Sequence, residues 1–253
     1  MKVTFLGTGT SQGVPVIGCN CEVCQSIDFR DKRLRSSILI EKDGTNIVVD
    51  TGPDFRQQML SNNVQHLDAV LYTHEHKDHV AGMDDIRSFN FKQKKDMPIY
   101  AQSRVIDRLK KEFSYVFAEN KYPGVPAVEV HEIDTDTFTA NGVEISPIQV
   151  WHYKLPILGY KIDNFAYLTD VKTIDDSEKE KLQNLDILVL NALQHKEHIS
   201  HLTLQEAIDL VGELQPKKAL FTHISHKLGL HREVQKILPD HIDLSYDGMI
   251  VHC

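Results

Sequence analysis

The chain has 253 residues, and its 28 lysines and arginines against 36 aspartates and glutamates give a formal net charge of −8. This length is sufficient for one α/β domain with a substantial core. The negative charge argues against a general nucleic-acid-binding protein, which needs a basic surface, but not against a small anionic substrate held by local cations. Histidine is unusually frequent, at 14 residues, and is the commonest metal ligand in proteins.

Short apolar runs separated by loops predict strands along the whole chain. In order they cover residues 2–6, 37–41, 46–49, 69–72, 99–101, 143–150, 159–162, 165–168, 187–190, 218–221 and 249–251. Helical spacing of apolar residues predicts helices over 104–113 and 203–214, the second opened by a capping box of Thr203 and Glu206. Without repeats or linkers, this mixture predicts a single α/β domain over residues 1–253, built of layered sheets.

The N-terminus lacks a basic segment followed by an apolar stretch, and no apolar run reaches the ~18 residues that span a bilayer. Three of the four cysteines fall within six residues, which is a poor disulfide framework and is typical of a metal site in a reducing compartment. We therefore expect a cytoplasmic protein that has no membrane partner.

The segment of residues 71–79 reads Leu-Tyr-Thr-His-Glu-His-Lys-Asp-His and directly follows a predicted strand. Its four potential metal ligands are too close together to bind one ion without strain. They can instead face two neighbouring ions, with His74 and His76 directed toward one and Asp78 and His79 toward the other.

Three further ligand types follow predicted strands, namely His152, Asp170 and His223. Sites in open α/β sheets form at the carboxyl ends of strands, so these residues meet the histidine-rich segment if the strands point the same way.

The cysteines Cys19, Cys21 and Cys24 have a C-x-C-x₂-C spacing that suits tetrahedral zinc and leaves a fourth ligand to be found. Cys253 and a histidine are the candidates, and His226 lies three residues after His223.

The order His-x-His-x-Asp-His, then a lone His, a lone Asp and a final His, resembles the metallo-β-lactamase superfamily over nearly the whole chain. The resemblance implies a four-layer αββα sandwich that binds two metal ions at one edge of its two sheets. The residues it implies are His74, His76 and His152 for the first ion, Asp78, His79 and His223 for the second, Asp170 as the bridge, and Asp50 as a support of the ligand loop.

The motif Gly-Cys-Asn-Cys-x-x-Cys, together with Thr-His-Ile-Ser-His late in the chain, resembles more narrowly the cyclic-phosphate phosphodiesterases of the carbon–phosphorus lyase pathway. That resemblance implies a structural zinc bound by Cys19, Cys21, Cys24 and His226. It also implies hydrolysis of a small or cyclic phosphodiester by a metal-bridging hydroxide, with zinc, manganese or iron as the catalytic ions.

Further roles follow for three residues. Asp78 would orient the attacking hydroxide, and His201 would protonate the leaving group, with His195 and His198 as competitors. Arg87 follows the ligand loop and would bind a substrate phosphate bidentately, unless it is an ordinary exposed helix arginine.

The same dinuclear core also suits tRNA 3′-end processing, a lactonase or a thioesterase. A non-enzymatic zinc-binding protein resembling the B protein of pyrroloquinoline quinone biosynthesis is compatible with the sequence as well. The sequence does not distinguish a monomer from a homodimer. Nor does it show whether residues 103–127 form a lid, a dimer surface or core.

Overall fold

The computed structural model describes all residues from 1 to 253. The strands are β1 (Lys2–Gly7), β2 (Ser37–Lys42), β3 (Thr45–Val49), β4 (Ala69–Leu71), β5 (Met97–Ala101), β6 (Val128–Glu132), β7 (Phe138–Ala140), β8 (Val143–His152), β9 (Leu155–Ile162), β10 (Phe165–Leu168), β11 (Ile187–Asn191), β12 (Lys218–Thr222), β13 (Ile242–Leu244) and β14 (Ile250–His252). The helices are α1 (Glu22–Gln25), α2 (Phe55–Ser61), α3 (Lys77–Val80), α4 (Arg87–Gln93), α5 (Ser103–Glu112), α6 (Ser114–Phe117), α7 (Asp176–Lys181), α8 (Leu204–Leu214) and α9 (His231–Gln235).

The strands form two seven-stranded sheets. The first has the order β14-β1-β2-β3-β4-β5-β6, and its strands from β3 to β6 run parallel. The second has the order β13-β12-β11-β10-β9-β8-β7, and its strands from β10 to β13 run parallel. Parallel neighbours end at the same edge of a sheet, so the loops after these strands are brought together.

The two sheets pack face to face because alternate side chains of each strand point inward. In β2, Ile38 and Ile40 enter the core between the sheets, whereas Leu39 points to the opposite face. Tyr160 and Tyr167 reach the same core from the second sheet. This alternation leaves each sheet with a second apolar face that helices must cover.

Helices cover both outer faces and complete four layers. Phe55 of α2 and Leu109 of α5 lie in the core outside the first sheet. Val211 of α8 and Val234 of α9 lie in the core outside the second sheet. The αββα sandwich expected from the resemblance is thus confirmed.

All predicted strands are present, and most are one to four residues longer than predicted. The predictions missed β6, β7 and β13, which are short marginal strands; none of the five residues of β6 is buried. The predicted helices are confirmed as α5 and α8, and the capping box of Thr203 and Glu206 is formed. No helix is long and apolar enough to cross a membrane.

Residues 103–117 belong to the helical layer over the first sheet. Val105, Ile106 and Leu109 of α5 and Val116 of α6 are buried in its core. Tyr122, in the loop that follows, is 80% exposed. The apolar face of these helices is therefore core, whereas the loop around residue 122 lies on the surface.

Candidate metal centres

Five predicted site residues meet at one edge of the two sheets. Asp50 follows β3, His74 lies three residues after β4, and His152 is the last residue of β8. Asp170 and His223 follow β10 and β12 of the second sheet. The sequence predicted that these residues meet if their strands point the same way. The five strands do point the same way and end at this edge, so the residues meet.

One group of four potential ligands surrounds a common point. The ligand atoms of Asp78, His79, Asp170 and His223 all lie within 4.8 Å of one another. The Nε2 atom of His79 is 3.2 Å from a carboxylate oxygen of Asp78 and 3.3 Å from one of Asp170. The Nε2 atom of His223 is 3.1 Å from the other oxygen of Asp170. The carboxylate of Asp170 therefore lies between the two imidazoles.

A second group of three imidazoles lies beside the first. Nε2 of His74 and Nδ1 of His76 are 3.1 Å apart, and the ring of His152 is centred 5.7 and 5.2 Å from these two rings. Tetrahedral coordination with bonds of about 2.0–2.1 Å separates two ligand nitrogens by roughly 3.3 Å. The spacing of His74 and His76 is therefore that of two ligands of one ion.

The carboxylate of Asp50 holds the histidine-rich segment from behind. It accepts hydrogen bonds from the backbone N–H of Thr73 at 2.8 Å, from the Thr73 hydroxyl at 2.8 Å and from Nδ1 of His79 at 2.7 Å. Nδ1 of His74 in turn lies 2.9 Å from the Thr73 hydroxyl oxygen. These bonds place the protons on Nδ1 and leave Nε2 of both imidazoles directed into the centre.

The backbone beside Asp50 packs tightly under the ligand loop. The N–H of Thr51 donates to the carbonyl oxygen of His79 at 2.8 Å. A Cβ atom on Gly52 would lie 2.2 Å from the carbonyl oxygen of Asp78, so only glycine allows this approach.

Three of the converging residues have a left-handed backbone that is rare for residues other than glycine. The φ angles of Asp50, Asp170 and His223 are 65°, 60° and 52°. Such conformations cost of order 1–3 kcal/mol each and persist where the surrounding structure determines them, commonly at functional sites. Here they turn the chain sharply at the strand ends and aim these side chains into the centre.

The charges in the centre favour a cation. Burial would raise the pKa of Asp170, but the neighbouring His223 and His79 lower it well below its ordinary value. Burial would likewise lower the pKa of His79, but Asp78, Asp170 and Asp50 raise it well above its ordinary value. Burial lowers the pKa of His74, so this imidazole is neutral, which is the form that binds a metal.

Several buried polar atoms in this centre have no hydrogen-bond partner, as expected of metal ligands. They are Nε2 of His79, Nδ1 of His201 and both ring nitrogens of His223. Buried polar atoms without a partner are rare and need an explanation such as an ion. Imidazole and carboxylate ligands around unpartnered nitrogens fit a divalent ion of the zinc or manganese type.

The cysteine cluster forms a separate metal-binding group. Nδ1 of His226 lies 3.3, 3.3 and 3.5 Å from the sulfurs of Cys19, Cys21 and Cys24. A tetrahedral zinc with Zn–S and Zn–N bonds of about 2.3 and 2.0 Å has N···S edges of roughly 3.5 Å, so this set fits zinc. Cys253, the other candidate for the fourth ligand, is wrong because it is exposed at the chain end and its N–H binds Met1.

Local interactions tune the thiols of this cluster. The backbone N–H of Cys24 donates to the sulfur of Cys21, which lowers the pKa of the Cys21 thiol to about 6. Burial raises the pKa of the Cys24 thiol to about 11. The cluster packs against Val14, Val23 and Leu230, apart from the main cores.

His201 lies against the centre rather than on a surface loop. Its ring stacks on that of His223 with 4.8 Å between centroids, and its Nδ1 is 3.7 Å from a carboxylate oxygen of Asp170. His152, Asp170 and His201 can also group around an ion, since their ligand atoms lie within 4.8 Å of one another. Burial and the neighbouring His223 lower the pKa of His201 to about 2, which favours the neutral ring.

A cavity of about 220 Å³ opens between the two metal-binding groups. Its wall contains His201, His223 and His226, together with Gln12 and Lys227. His198, one of the two competitors of His201, lines the same cavity, whereas the side chain of His195 bonds the carbonyl oxygen of Leu228.

Arg87 is not brought to this cavity. Its guanidinium is 47% exposed and pairs with Asp84 at 3.3 Å, and Asp84 also accepts a hydrogen bond from Tyr115. No hydrogen bond or ion pair connects Arg87 with a residue of either metal-binding group. Its binding of a substrate phosphate therefore has no support in the arrangement of the side chains.

Two residues that support the ligands, Thr73 and Asn191, were not predicted from the sequence. Thr73 links Asp50 to His74, and the Asn191 side chain accepts from the Val171 backbone N–H at 2.6 Å and donates to its carbonyl oxygen at 3.1 Å. Asn191 thereby fixes the turn that carries Asp170. Asn191 is the last residue of β11, level with the other strand ends, and this position could have identified it as part of the site.

Comparison with known proteins adds to this geometry. A family model described as "Beta-lactamase superfamily domain" matches residues 45–224. The crystal structure of a diphosphatase of the PhnP family superimposes with a TM-score of 0.93 and 40% identity, covering 100% of this chain and 97% of that chain.

Two further similarities are more limited. An octanoyltransferase from Porphyromonas gingivalis is 44% identical over 98% of this chain, but the chain spans only about half of that protein, 51% of its length. The zinc-bound PqqB protein of Methylobacterium extorquens has a TM-score of 0.82 with full coverage of both chains, but at 18% identity this shows a common fold alone.

Proposed function

The chain belongs to the metallo-β-lactamase superfamily, and on that premise we propose that it is a dinuclear-metal hydrolase of small or cyclic phosphodiesters. The observation that carries the proposal is the carboxylate of Asp170, which groups with His152 in one set of potential ligands and with Nε2 of His79 and Nε2 of His223 in another. Because both nitrogens lack a hydrogen-bond partner, the arrangement suits coordination better than hydrogen bonding. As a hydrolase of this superfamily, the protein would use the centre to activate water.

We assign the ligands as two sets. His74, His76 and His152 would bind one ion, Asp78, His79 and His223 the other, and Asp170 both. When bound, two such ions supply Lewis acidity and a nucleophile at neutral pH. Asp78, whose carboxylate borders this centre, would orient the attacking water, and Asp50 would hold the ligand loop in register.

His201 would serve the leaving group. Protonating the departing oxygen requires the imidazolium form of His201, which the nearby Asp170 and a bound anionic phosphate favour against the burial that lowers its pKa to about 2 in the free protein. We assign Arg87 no role toward the substrate phosphate, because its guanidinium pairs with Asp84 and does not line the cavity.

Two observations favour phosphorus as the electrophile. The solved relative at 40% identity is described as a diphosphatase, so its reaction is at a phosphorus–oxygen bond. The cavity of about 220 Å³ is small for a ligand pocket, which typically measures about 300–1,000 Å³, and Lys227 places a cation in its wall. A small phosphate ester matches this size and charge.

The proposal is tested with protein stripped of metal and reloaded with Mn²⁺ or Zn²⁺. Turnover of bis-p-nitrophenyl phosphate should require the metal, and cyclic ribose phosphates, cyclic nucleotides, dinucleotides and diphosphates would then define the substrate. Asp170→Asn should abolish turnover, because the amide nitrogen cannot coordinate. Absence of turnover on every phosphate ester by protein that holds two ions in this centre would refute the proposal.

A second candidate is hydrolysis of an acyl thioester. The 44% identity to part of an octanoyltransferase supports it, since that protein handles an acyl group. The same metal-loaded protein is therefore assayed with an octanoyl thioester. Thioester turnover that exceeds phosphodiester turnover at equal concentration would favour this candidate over the first.

Two further functions, tRNA processing and zinc binding without catalysis, have less support. Processing of tRNA is disfavoured by the net charge of −8, and the likeness to zinc-bound PqqB shows the fold alone. A protein that only binds zinc through its cysteine cluster should contain about one metal ion per chain. The proposed enzyme should contain about three, which elemental analysis can distinguish.

A further inference from the structure

The imidazole of His223 differs from the other buried imidazoles among the candidate ligands in how it is held. Metal-binding histidines almost always anchor their second ring nitrogen with a hydrogen bond. His74 has Thr73 for this purpose, His79 has Asp50, and Nδ1 of His152 donates to backbone oxygens at 2.9 and 3.0 Å. Nδ1 of His223 is buried and has no partner.

The position of His223 therefore depends on its backbone segment. The backbone at His223 has a left-handed φ of 52°. The N–H of Ile224 donates to the Thr8 carbonyl oxygen at 2.9 Å, and the N–H of Ser225 donates to the Leu193 carbonyl oxygen at 3.1 Å. These bonds fix the path of the chain. They leave the rotation of the His223 ring to its stacking against His201.

The same segment ends in the cysteine cluster. His226 follows His223 by three positions and lies within 3.5 Å of all three cysteine sulfurs. Both imidazoles line the same cavity. A metal bound to His226 and to three sulfurs on a different loop would crosslink this end of the segment to that loop.

We propose that the Cys₃His group positions His223 and so sets the affinity of one catalytic ion, the ion bound by Asp78, His79 and His223. The inference rests on the proposed dinuclear centre. His226 is then a positioning residue, and its effect is selective. The other ion is bound by His74, His76 and His152, which follow β4 or end β8 and are remote in the chain from this segment.

The test compares His226→Asn with His226→Cys. The first removes a zinc ligand, whereas the second restores a four-ligand set, because Cys₄ sites bind zinc as Cys₃His sites do. Cys253→Ser is the matched control, since this exposed cysteine lies outside the cluster. Each protein is loaded with zinc and dialysed against a chelator until only the thiolate-bound zinc remains, because zinc would otherwise occupy the catalytic centre in place of Mn²⁺. Mn²⁺ is then titrated into the catalytic centre and followed by electron paramagnetic resonance.

In the wild type and in Cys253→Ser, two Mn²⁺ ions should bind and give a spin-coupled signal. In His226→Asn, one Mn²⁺ should bind with an unchanged dissociation constant and give an isolated signal. The second constant should rise by roughly 10–100-fold, the usual effect of losing a residue that orients a ligand. His226→Cys should restore the coupled signal.

Equal weakening of both ions, or no weakening, would overturn the inference, as would failure of zinc-loaded His226→Cys to restore the second ion. Circular dichroism checks that the variants are folded. If His226→Asn is not, Cys19→Ser replaces it, because Cys19 is half-exposed and leaves three ligands in place. A wild type that binds only one Mn²⁺ would instead refute the dinuclear proposal itself, so the two failures are distinguishable.

Discussion

Asp50 controls the geometry of the ligand loop without reaching the centre itself. Its two carboxylate oxygens accept three hydrogen bonds, and the bond from His79 is 2.7 Å long. Each of these donors lies on the segment after β4. The carboxylate is thus a fixed point against which two metal-facing imidazoles are oriented.

We expect Asp50→Asn to weaken the catalytic ions by roughly 10–100-fold, because an amide cannot accept from all three donors. Calorimetric titration of Mn²⁺ measures this loss. Asp209→Asn is the control, since Asp209 lies exposed on α8 and accepts only from Gln205. Zinc in the cysteine cluster should be retained in both variants, and its loss from Asp50→Asn would indicate general unfolding instead.

His201→Ala tests the proton donor. The turnover number should fall by roughly 10²–10⁴-fold for a substrate with an alkoxide leaving group, and far less for one that releases p-nitrophenolate, which needs no proton. Metal content is measured in parallel, because His201 also lies within coordination distance of Asp170. Equal losses on both substrates would show that His201 does not act as the acid.

At the scale of the elements, the start of α8 is fixed by its capping box. The Thr203 hydroxyl accepts from the N–H of Glu206 at 3.2 Å, and the Glu206 carboxylate accepts from the N–H of Thr203 at 2.8 Å. Lys172, next to the Asp170 turn, also binds Glu206 at 2.8 Å. The cap therefore joins the start of α8, just after His201, to the turn that carries Asp170.

Thr203→Ala should lower the free energy of unfolding by about 1 kcal/mol, the usual cost of losing a cap. Urea denaturation followed by circular dichroism measures the change. Thr203→Ser keeps the hydroxyl and should remain within a few tenths of a kcal/mol of the wild type. An equally large loss in Thr203→Ser would mean that packing of the threonine methyl group, and not the cap, carries the effect.

At the scale of the whole molecule, a buried polar network joins segments from both ends of the chain. The guanidinium of Arg33 is buried and donates to the Thr8 hydroxyl at 2.8 Å, to the Ser245 carbonyl oxygen at 2.7 Å and to Nδ1 of His231 at 3.1 Å. The Asp247 carboxylate accepts from the Thr8 hydroxyl at 2.7 Å and so balances the positive charge of Arg33. Thr8, whose carbonyl oxygen accepts from the N–H of Ile224 next to His223, is thereby tied to the C-terminal segment.

His231 makes this network sensitive to pH. Nδ1 of His231 accepts from Arg33 and must be unprotonated, and burial and Arg33 lower the pKa of His231 to about 4. Between pH 4 and 6.5 the unfolded chain binds the proton and the folded chain does not, so stability falls as the pH falls through this range. Above about pH 6.5 the contribution is constant.

In the wild type, the free energy of unfolding falls between roughly pH 7 and pH 4, and His231→Gln should reduce this fall by up to about 3 kcal/mol, at about 1.36 kcal/mol per pKa unit. Urea unfolding of the wild type and the variant across the range gives the difference, in which titration of other groups cancels. His241→Gln, a change at an exposed histidine, is the control. Parallel pH profiles of the wild type and His231→Gln would contradict the assignment.

Much of the fold could be predicted because its signals are local. Runs of apolar residues predicted every strand in the middle of the two sheets. Helical spacing predicted the ends of α5 and α8 to within one residue. Strands at the margins, such as β6 and β13, were missed because each contains only two apolar residues. The candidate ligands were identified in the same way, from imidazoles and carboxylates at the ends of apolar runs.

The sequence by itself determined which side chains are available to bind metal and that they follow strands. Only the tertiary structure decided which of them meet, because the contacts join residues far apart, such as Cys19 and His226 across 207 positions. The tertiary structure also places Cys253 outside the cysteine cluster and Arg87 outside the cavity, and it gives Nδ1 of His223 no hydrogen-bond partner. Local patterns encode strands, but the direction and pairing of those strands are set by packing over the whole chain, and packing decides the geometry of the site.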